Sequence, residues 1–238
     1  ICKNSLAKLT VMKIKSFQKM LSETLNPSTI NKYVSLIKMA LDYAINDLDI
    51  YLPKNVAGQC KRLKEPDWSG EVITEEEEKR LIENSYRSKA YWLRAALVLG
   101  IDCGMRRSEI KNLRFADIDR INKTATLRNT KNGDARTVGL TPRAITELFK
   151  LPVTPDGRLF NWTTSDQFKF YWKQLKHWSN VSKTFHSTRA TFATRAAEAG
   201  WNHLDIAAQT GHKDLNVLKK HYAKLNGRYL ASKLDNKL

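Results

Sequence analysis

The chain has 238 residues, 42% hydrophobic and 27% charged, enough apolar material for one or two cored domains and too little charge bias for a disordered chain. No apolar run approaches the roughly 20 residues of a membrane-spanning helix. Lys plus Arg number 41 against 24 Asp plus Glu, a formal charge of +17, which suits a polyanionic partner and points to nucleic acid.

The excess is spread along the chain: residues 1–65 carry 11 basic and 5 acidic side chains and the remainder 30 and 19. A basic tail would concentrate it at one end, so both halves are expected to face the ligand. Cys2, Cys60 and Cys103 are too few and too scattered for a disulfide framework or a zinc site. The opening Ile1-Cys2-Lys3-Asn4 has neither an initiator Met nor a signal-peptide core and reads as the start of a fragment. The chain reads as intracellular, without metal or cofactor.

In chain order, Thr10 can cap a helix whose Val11, Ile14, Phe17 and Leu21 share one stripe. Asn26-Pro27 starts a second helix, with Pro at its first position. There Ile30, Tyr33, Val34, Ile37, Leu41, Ala44 and Ile45 recur at helical spacing, and Lys32 and Lys38 lie on the polar face. Two helices bury little, so this unit is expected to hold a further N-terminal helix or to lean on a partner. Residues 50–72, punctuated by Pro53, Gly58, Pro66 and Gly70 and made basic by Lys61, Arg62 and Lys64, read as a linker. The domains are drawn as 1–65 and 73–238, with 66–72 between them.

Thr74 and Glu77 fit a capping box, and the acidic run Glu75 to Glu78 suits a helix N-terminus. Tyr91 to Leu99 reads as a buried helix ending near Gly104, followed by a short helix through Ile110 and Leu113. Residues 114–140 switch to strands, with 124–127 and 136–138 flanking an Asn132-Gly133 hairpin turn. Helices resume at Thr141-Pro142. Phe168, Tyr171, Trp172, Leu175 and Trp178 form an apolar stripe that reads as core. Gly200, Gly211 and Gly227 read as helix stops. The fold class is therefore mainly α with a small antiparallel β-sheet, in two domains.

Five elements can carry chemistry. Gly104-Met105-Arg106-Arg107-Ser108-Glu109 places Arg106 at a helix start. Lys131 precedes the hairpin turn, where a lysine can reach into a groove. In His186-Ser187-Thr188-Arg189 the two ends share a helix face and can point at one spot. In Thr210-Gly211-His212 the glycine permits a sharp turn. Tyr222 follows on a basic helix, next to His221. Each alone is ordinary; a buried structural histidine or a solvated lysine would be the bland explanation.

Taken together, the order Gly-x-Arg-x-Ser-Glu, hairpin Lys, His-x-x-Arg, Gly-His, Tyr resembles the tyrosine recombinases, the phage integrase family, across roughly residues 73–225. Residues 1–65 resemble that family's core-binding domain. The resemblance implies that Arg106 and Arg189 clamp a phosphate, Lys131 is the hairpin lysine, His186 and His212 fill the two histidine positions, and Tyr222 is the nucleophile. It further implies a site-specific recombinase that cleaves and rejoins double-stranded DNA through a 3′-phosphotyrosine. The expected setting is a homotetramer on DNA in the host cytoplasm, with a DNA-bending accessory protein or an excisionase as further partners. Ala223 to Leu238 would dock on a neighbouring protomer or fold back in cis.

The chemistry needs such groups. Forming a phenolate at pH 7 from a tyrosine with pKa about 10 costs on the order of 4 kcal/mol, which clustered positive charge lowers. The same cluster stabilises charge growing on the non-bridging oxygens of a phosphorane-like transition state. Arginine grips two phosphate oxygens and stays charged. A lysine can protonate the departing 5′ oxygen. Covalent capture conserves the bond energy, so rejoining needs no ATP, and no carboxylate cluster for a magnesium pair is apparent. Lys32, Lys38, Lys61, Arg62 and Lys64 are the expected DNA contacts of the first domain. Two other readings are a type IB topoisomerase-like enzyme and a catalytically silent DNA-binding regulator.

Overall fold

The computed structural model describes residues 8–52, 54–65, 71–128, 135–212 and 214–215. The chain divides into two compact units, Ile1–Ser69 and Gly70–Leu238. Among the described residues it is mostly helical, with one small antiparallel sheet.

In the first unit, α1 (Val11–Leu21) and α2 (Pro27–Asn46) begin where cap chemistry demands. The Thr10 hydroxyl accepts from Lys13 N at 3.3 Å and Asn26 Oδ1 from Thr29 N at 2.9 Å, satisfying amides that no helical carbonyl can reach. Ile14, Val34, Leu41 and Ala57 form the small core. Tyr33, expected on the buried stripe, is 45% exposed, because this core is narrower than the stripe that α2 offers.

The segment after α2 is not loose. Val56–Gln59 forms a 3-10 turn that packs on α1 and α2, with Ala57 buried. Asn31, 1% exposed, then binds the following stretch as a strand neighbour would. Its Nδ2 donates to Leu63 O at 2.9 Å and its Oδ1 accepts from Leu63 N at 2.8 Å. A buried amide finds full partners this way, and residues through Glu65 are tied to the helices.

The second unit is built around α4 (Leu93–Cys103), whose Leu93, Leu97, Leu99 and Ile101 are all 2% exposed or less. Burying one such side chain contributes about 1.5–3 kcal/mol, so α4 is the core rather than a helix with a wet face. Around it pack α3 (Glu75–Ser85), α5 (Arg107–Asn112), α6 (Pro142–Leu148) and α8 (His186–Glu198). The Thr74–Glu77 capping box of α3 is formed in both directions. α7 (Ser165–Ser179) packs on α3 and buries Phe168, Trp172 and Leu175, and Phe168 meets Phe185 edge-on at 4.8 Å. Of the expected stripe, Phe168, Trp172 and Leu175 are core, while Tyr171 and Trp178 are half-buried at its edge.

α8 lies close to α4 because Gly100 has no side chain; a Cβ there would collide with Thr188. At the other end of the unit Glu78 on α3 accepts from Arg143 on α6 at 2.6 Å and from Arg195 on α8 at 2.5 Å. This contact fixes the far turn of α8.

Strands β1 (Ile118–Asp119), β2 (Thr124–Leu127) and β3 (Arg136–Gly139) form an antiparallel sheet in that order. β1 was not foreseen; two residues are too few to alternate visibly. The register pairs Ala125 with Val138 and Leu127 with Arg136. Alternate residues share a face, so Arg136 lies on the face whose Ala125, Leu127 and Val138 are buried. The Asn132-Gly133 turn lies outside the described residues.

The last described helix, α9 (His203–Thr210), is stapled to β3 by Gln209. Its Oε1 accepts from Gly139 N and its Nε2 donates to Gly139 O, both at 2.9 Å, and Nε2 also reaches Cys103 O at 3.0 Å. One side chain thereby joins the ends of β3, α4 and α9.

Candidate active site

Three helix ends meet at one place. α4 stops at Gly104, which has φ +65°, and a Cβ there would lie 2.6 Å from Phe192. Both the backbone angle and the space require glycine. The turn delivers Arg106 to the N-cap of α5.

Arg106 is held at both its backbone and its side chain. Its N–H donates to Glu109 Oε2 at 2.7 Å and its Nη1 to Glu109 Oε1 at 2.8 Å. Nη1 and Nη2 also donate to the carbonyls of Thr210 and Gly211 at 3.1 and 2.7 Å. Those carbonyls end α9, where the helix dipole favours a cation.

Arg189, 2% exposed on the first turn of α8, does the same for α4. Its Nη1 donates to Gly104 O at 2.7 Å and its Nη2 to His212 Nε2 at 3.0 Å. Burial, with Arg106 adding to it, pushes the guanidinium down to about 9, still charged at pH 7. Each of the two arginines is thus anchored by the carboxy end of a different helix.

Glu109 offsets the gathered charge. Its side chain is fully buried and meets Arg106 and Arg136. Burial works to raise its carboxyl, but hydrogen bonds from Arg136 and Arg106 outweigh that and hold it below the ordinary carboxylate value. Arg136 is a site residue that the sequence reading did not single out. Its signal was an arginine two residues from buried Val138 in a four-residue strand.

His186, at the start of α8, is exposed at the rim. The protein packed round it, then Arg189 and Arg106, hold its imidazole below the usual histidine value. It lines a cleft of about 420 Å³ together with both arginines, Arg107, Lys169 and Lys176. Five cations and no carboxylate line this cleft, which opens over an aromatic floor that includes Phe168 and Trp172.

Arg106, His186, Arg189 and His212 are therefore neighbours, as the sequence spacing suggested for His186 and Arg189. Lys131 and Tyr222 lie outside the described residues. In the first unit Lys32 and Lys38 are exposed on α2, and Lys61, Arg62 and Lys64 are exposed beyond it. Lys38 pairs with Asp42 at 3.2 Å and Arg62 with Glu65 at 3.0 Å, surface pairs that an incoming phosphate can displace. Burial pushes the Cys103 thiol up to about 12, so it is not a nucleophile. Among the described residues no three His, Cys, Asp or Glu side chains gather to hold a metal ion, and no helix is long and apolar enough to cross a membrane.

The second unit is thus mainly helical, with a small antiparallel sheet and two arginines held at its helix ends. A sequence model of the phage integrase family matches residues 71–228; the chain belongs to that family. It is similar to the shufflon-specific DNA recombinase of Escherichia coli, 35% identical over 77% of this chain and 45% of that protein. It is also similar to the tyrosine recombinase XerA of Pyrococcus furiosus, 27% identical over 75% of this chain and 66% of that protein. The chain thus spans about half the length of the curated relatives it matches.

The fold is that of solved integrases. The Tn1549 transposon integrase, solved with circular intermediate DNA, aligns with a TM-score of 0.77 at 21% identity, over 97% of this chain and 86% of that one. The lambda integrase dimer bound to a COC′ core site aligns at 0.74 and 16% identity, over 93% and 67%.

Proposed function

We propose that this chain is the core-binding and catalytic part of a site-specific DNA recombinase that acts without metal or ATP. Tyr222 attacks a backbone phosphorus; the phenolic proton passes to His186, and the bond to the 5′ oxygen breaks as Lys131 supplies that oxygen's proton. The product is a 3′-phosphotyrosine and a free 5′ hydroxyl, and the reverse attack by a partner strand rejoins the DNA. Arg106 and Arg189 grip the non-bridging oxygens, with His212 beside them. The exposed basic residues of the first unit hold the duplex on phosphates. Recombination between two sites calls for an assembly of four protomers on DNA, aided by a bending protein or an excisionase.

The observation that carries this reading is the cleft bearing Arg106 and Arg189, lined by five cations and no carboxylate. Such a site favours an anion and the charge of a phosphoryl transition state. A duplex nicked next to the cleavage point lets the short 5′ fragment escape and traps the covalent complex. The adduct is expected with the wild-type chain and is expected to vanish in Tyr222→Phe while DNA binding survives. An adduct that persists in Tyr222→Phe overturns the nucleophile assignment.

A further inference from the structure

Thr210, fully buried at the end of α9, has a single hydroxyl proton and two polar neighbours. The hydroxyl donates to the carbonyl of Ile206, one turn back, and a carbonyl can only accept. No proton is left for the 2.8 Å contact between Thr210 Oγ1 and His212 Nδ1. That contact needs a proton on Nδ1.

The other side of the ring gives the same answer independently. His212 Nε2 lies 3.0 Å from Arg189 Nη2, and a guanidinium is a donor with no acceptor capacity. Nε2 must be bare. The hydrogen bond at one ring nitrogen selects the state of the other.

We propose that Thr210 is a positioning residue that fixes His212 as the Nδ1–H tautomer, so that Nε2 accepts from Arg189 in the neutral ring and donates to a phosphate oxygen only once the ring is protonated. The consequence for catalysis rests on the strand-cleavage reading above; the tautomer does not.

The charges around the ring set when protonation occurs. Arg189 faces it from α8. Arg106 and Arg136 sit on the Thr210–Gly211 turn, and Glu109 lies behind both. His186 shares the cleft with Arg106 and Arg189, and Asp214 follows two residues on. A phosphate bound between Arg189 and His212 would place an anion beside the ring, which favours its protonated, donating form.

The test begins on the free protein. Long-range proton–nitrogen NMR of histidine-labelled chain at about pH 8, above the ordinary histidine value, reports which nitrogen carries the proton, with His212→Asn used for assignment. Wild type and Thr210→Ser are expected to show Nδ1–H and bare Nε2. Thr210→Val, equal in shape but without the acceptor, leaves Arg189 alone to hold the tautomer and is expected to show a mixture in which part of the population carries Nε2–H. A tautomer unchanged from wild type overturns the role of Thr210. Nε2–H in the wild type overturns the proposal and needs no variant to fold. Because no DNA is present, this result stands whether or not an adduct ever forms. On the nicked duplex, Thr210→Val is expected to slow adduct formation about tenfold, the scale of one lost buried hydrogen bond, and to lose the alkaline decline that wild type and Thr210→Ser share. Identical pH profiles for Thr210→Val and wild type overturn the catalytic consequence.

Discussion

Arg136 sets its two terminal nitrogens on the two carboxylate oxygens of Glu109, Nη1 on Oε1 at 2.7 Å and Nη2 on Oε2 at 3.0 Å. The same carboxylate holds the backbone and the guanidinium of Arg106. A single buried anion therefore decides where two cations stand. Without it the arginines would repel each other and the start of α5 would lose its cap.

Glu109→Gln is expected to destabilise the fold by about 3–5 kcal/mol, the scale for breaking a buried ion pair by removing one partner. Urea unfolding monitored by circular dichroism measures it. A loss under about 1 kcal/mol would show that the arginines find other anchors.

The same pair makes a pH prediction. Glu109 has a folded-state value below its ordinary 4.5, so its contribution is fully present above about pH 4.5 and lost as the pH falls through the folded value. The stability gap between wild type and Glu109→Gln is expected to be constant from pH 7 to pH 5 and to shrink below that. A gap that widens on acidification contradicts the assignment.

His186 titrates in the opposite region. Its folded value is lowered, so the unfolded chain binds the proton first and stability falls as the pH drops below about 6.5. His186→Asn is expected to remove that part of the acid loss. Arg189→Gln is expected to move the His186 NMR midpoint only part of the way back, since the protein packed against one side of the exposed ring is the larger cause.

Gly211 has φ +69°, and a Cβ there would lie 2.8 Å from the Arg136 guanidinium. Gly157 has φ +79° but open space around it. Both alanine variants carry the conformational cost of roughly 1–2 kcal/mol. Gly211→Ala is expected to lose at least about 1 kcal/mol more by displacing Arg136 from Glu109. Equal melting temperatures for the two variants would count against that contact.

Arg189→Lys keeps the charge but has one point of attachment where two are needed. Adduct formation on nicked DNA is expected to fall by about 100-fold or more, the scale of one lost transition-state donor, with affinity changed less than about tenfold. Equal losses in rate and affinity would make Arg189 a binding residue only.

The parts of this structure that are local were legible in the residues. Thr10, Asn26, Thr74 and Thr141 cap helices because the exposed amides three residues on have no other partner. Gly104 and Gly211 end helices in the left-handed region. The arrangement of Arg106, His186, Arg189 and His212 was approached through the order of motifs, not through periodicity. What spacing could not reveal is pairing across the fold. Asn31 selects Leu63 and Arg136 selects Glu109. Each is a polar side chain whose partner is fixed only once the elements have packed.

Arg189 reaches a carbonyl 85 residues away in sequence, and Arg106 reaches two that are 104 and 105 away. The clamp is thus a product of complete tertiary closure and does not exist in any contiguous stretch. A chain still leaving the ribosome, or one that has partly come apart, holds no paired guanidinium groups. The long span of these contacts ties the existence of the pocket to the folded state of the whole second unit.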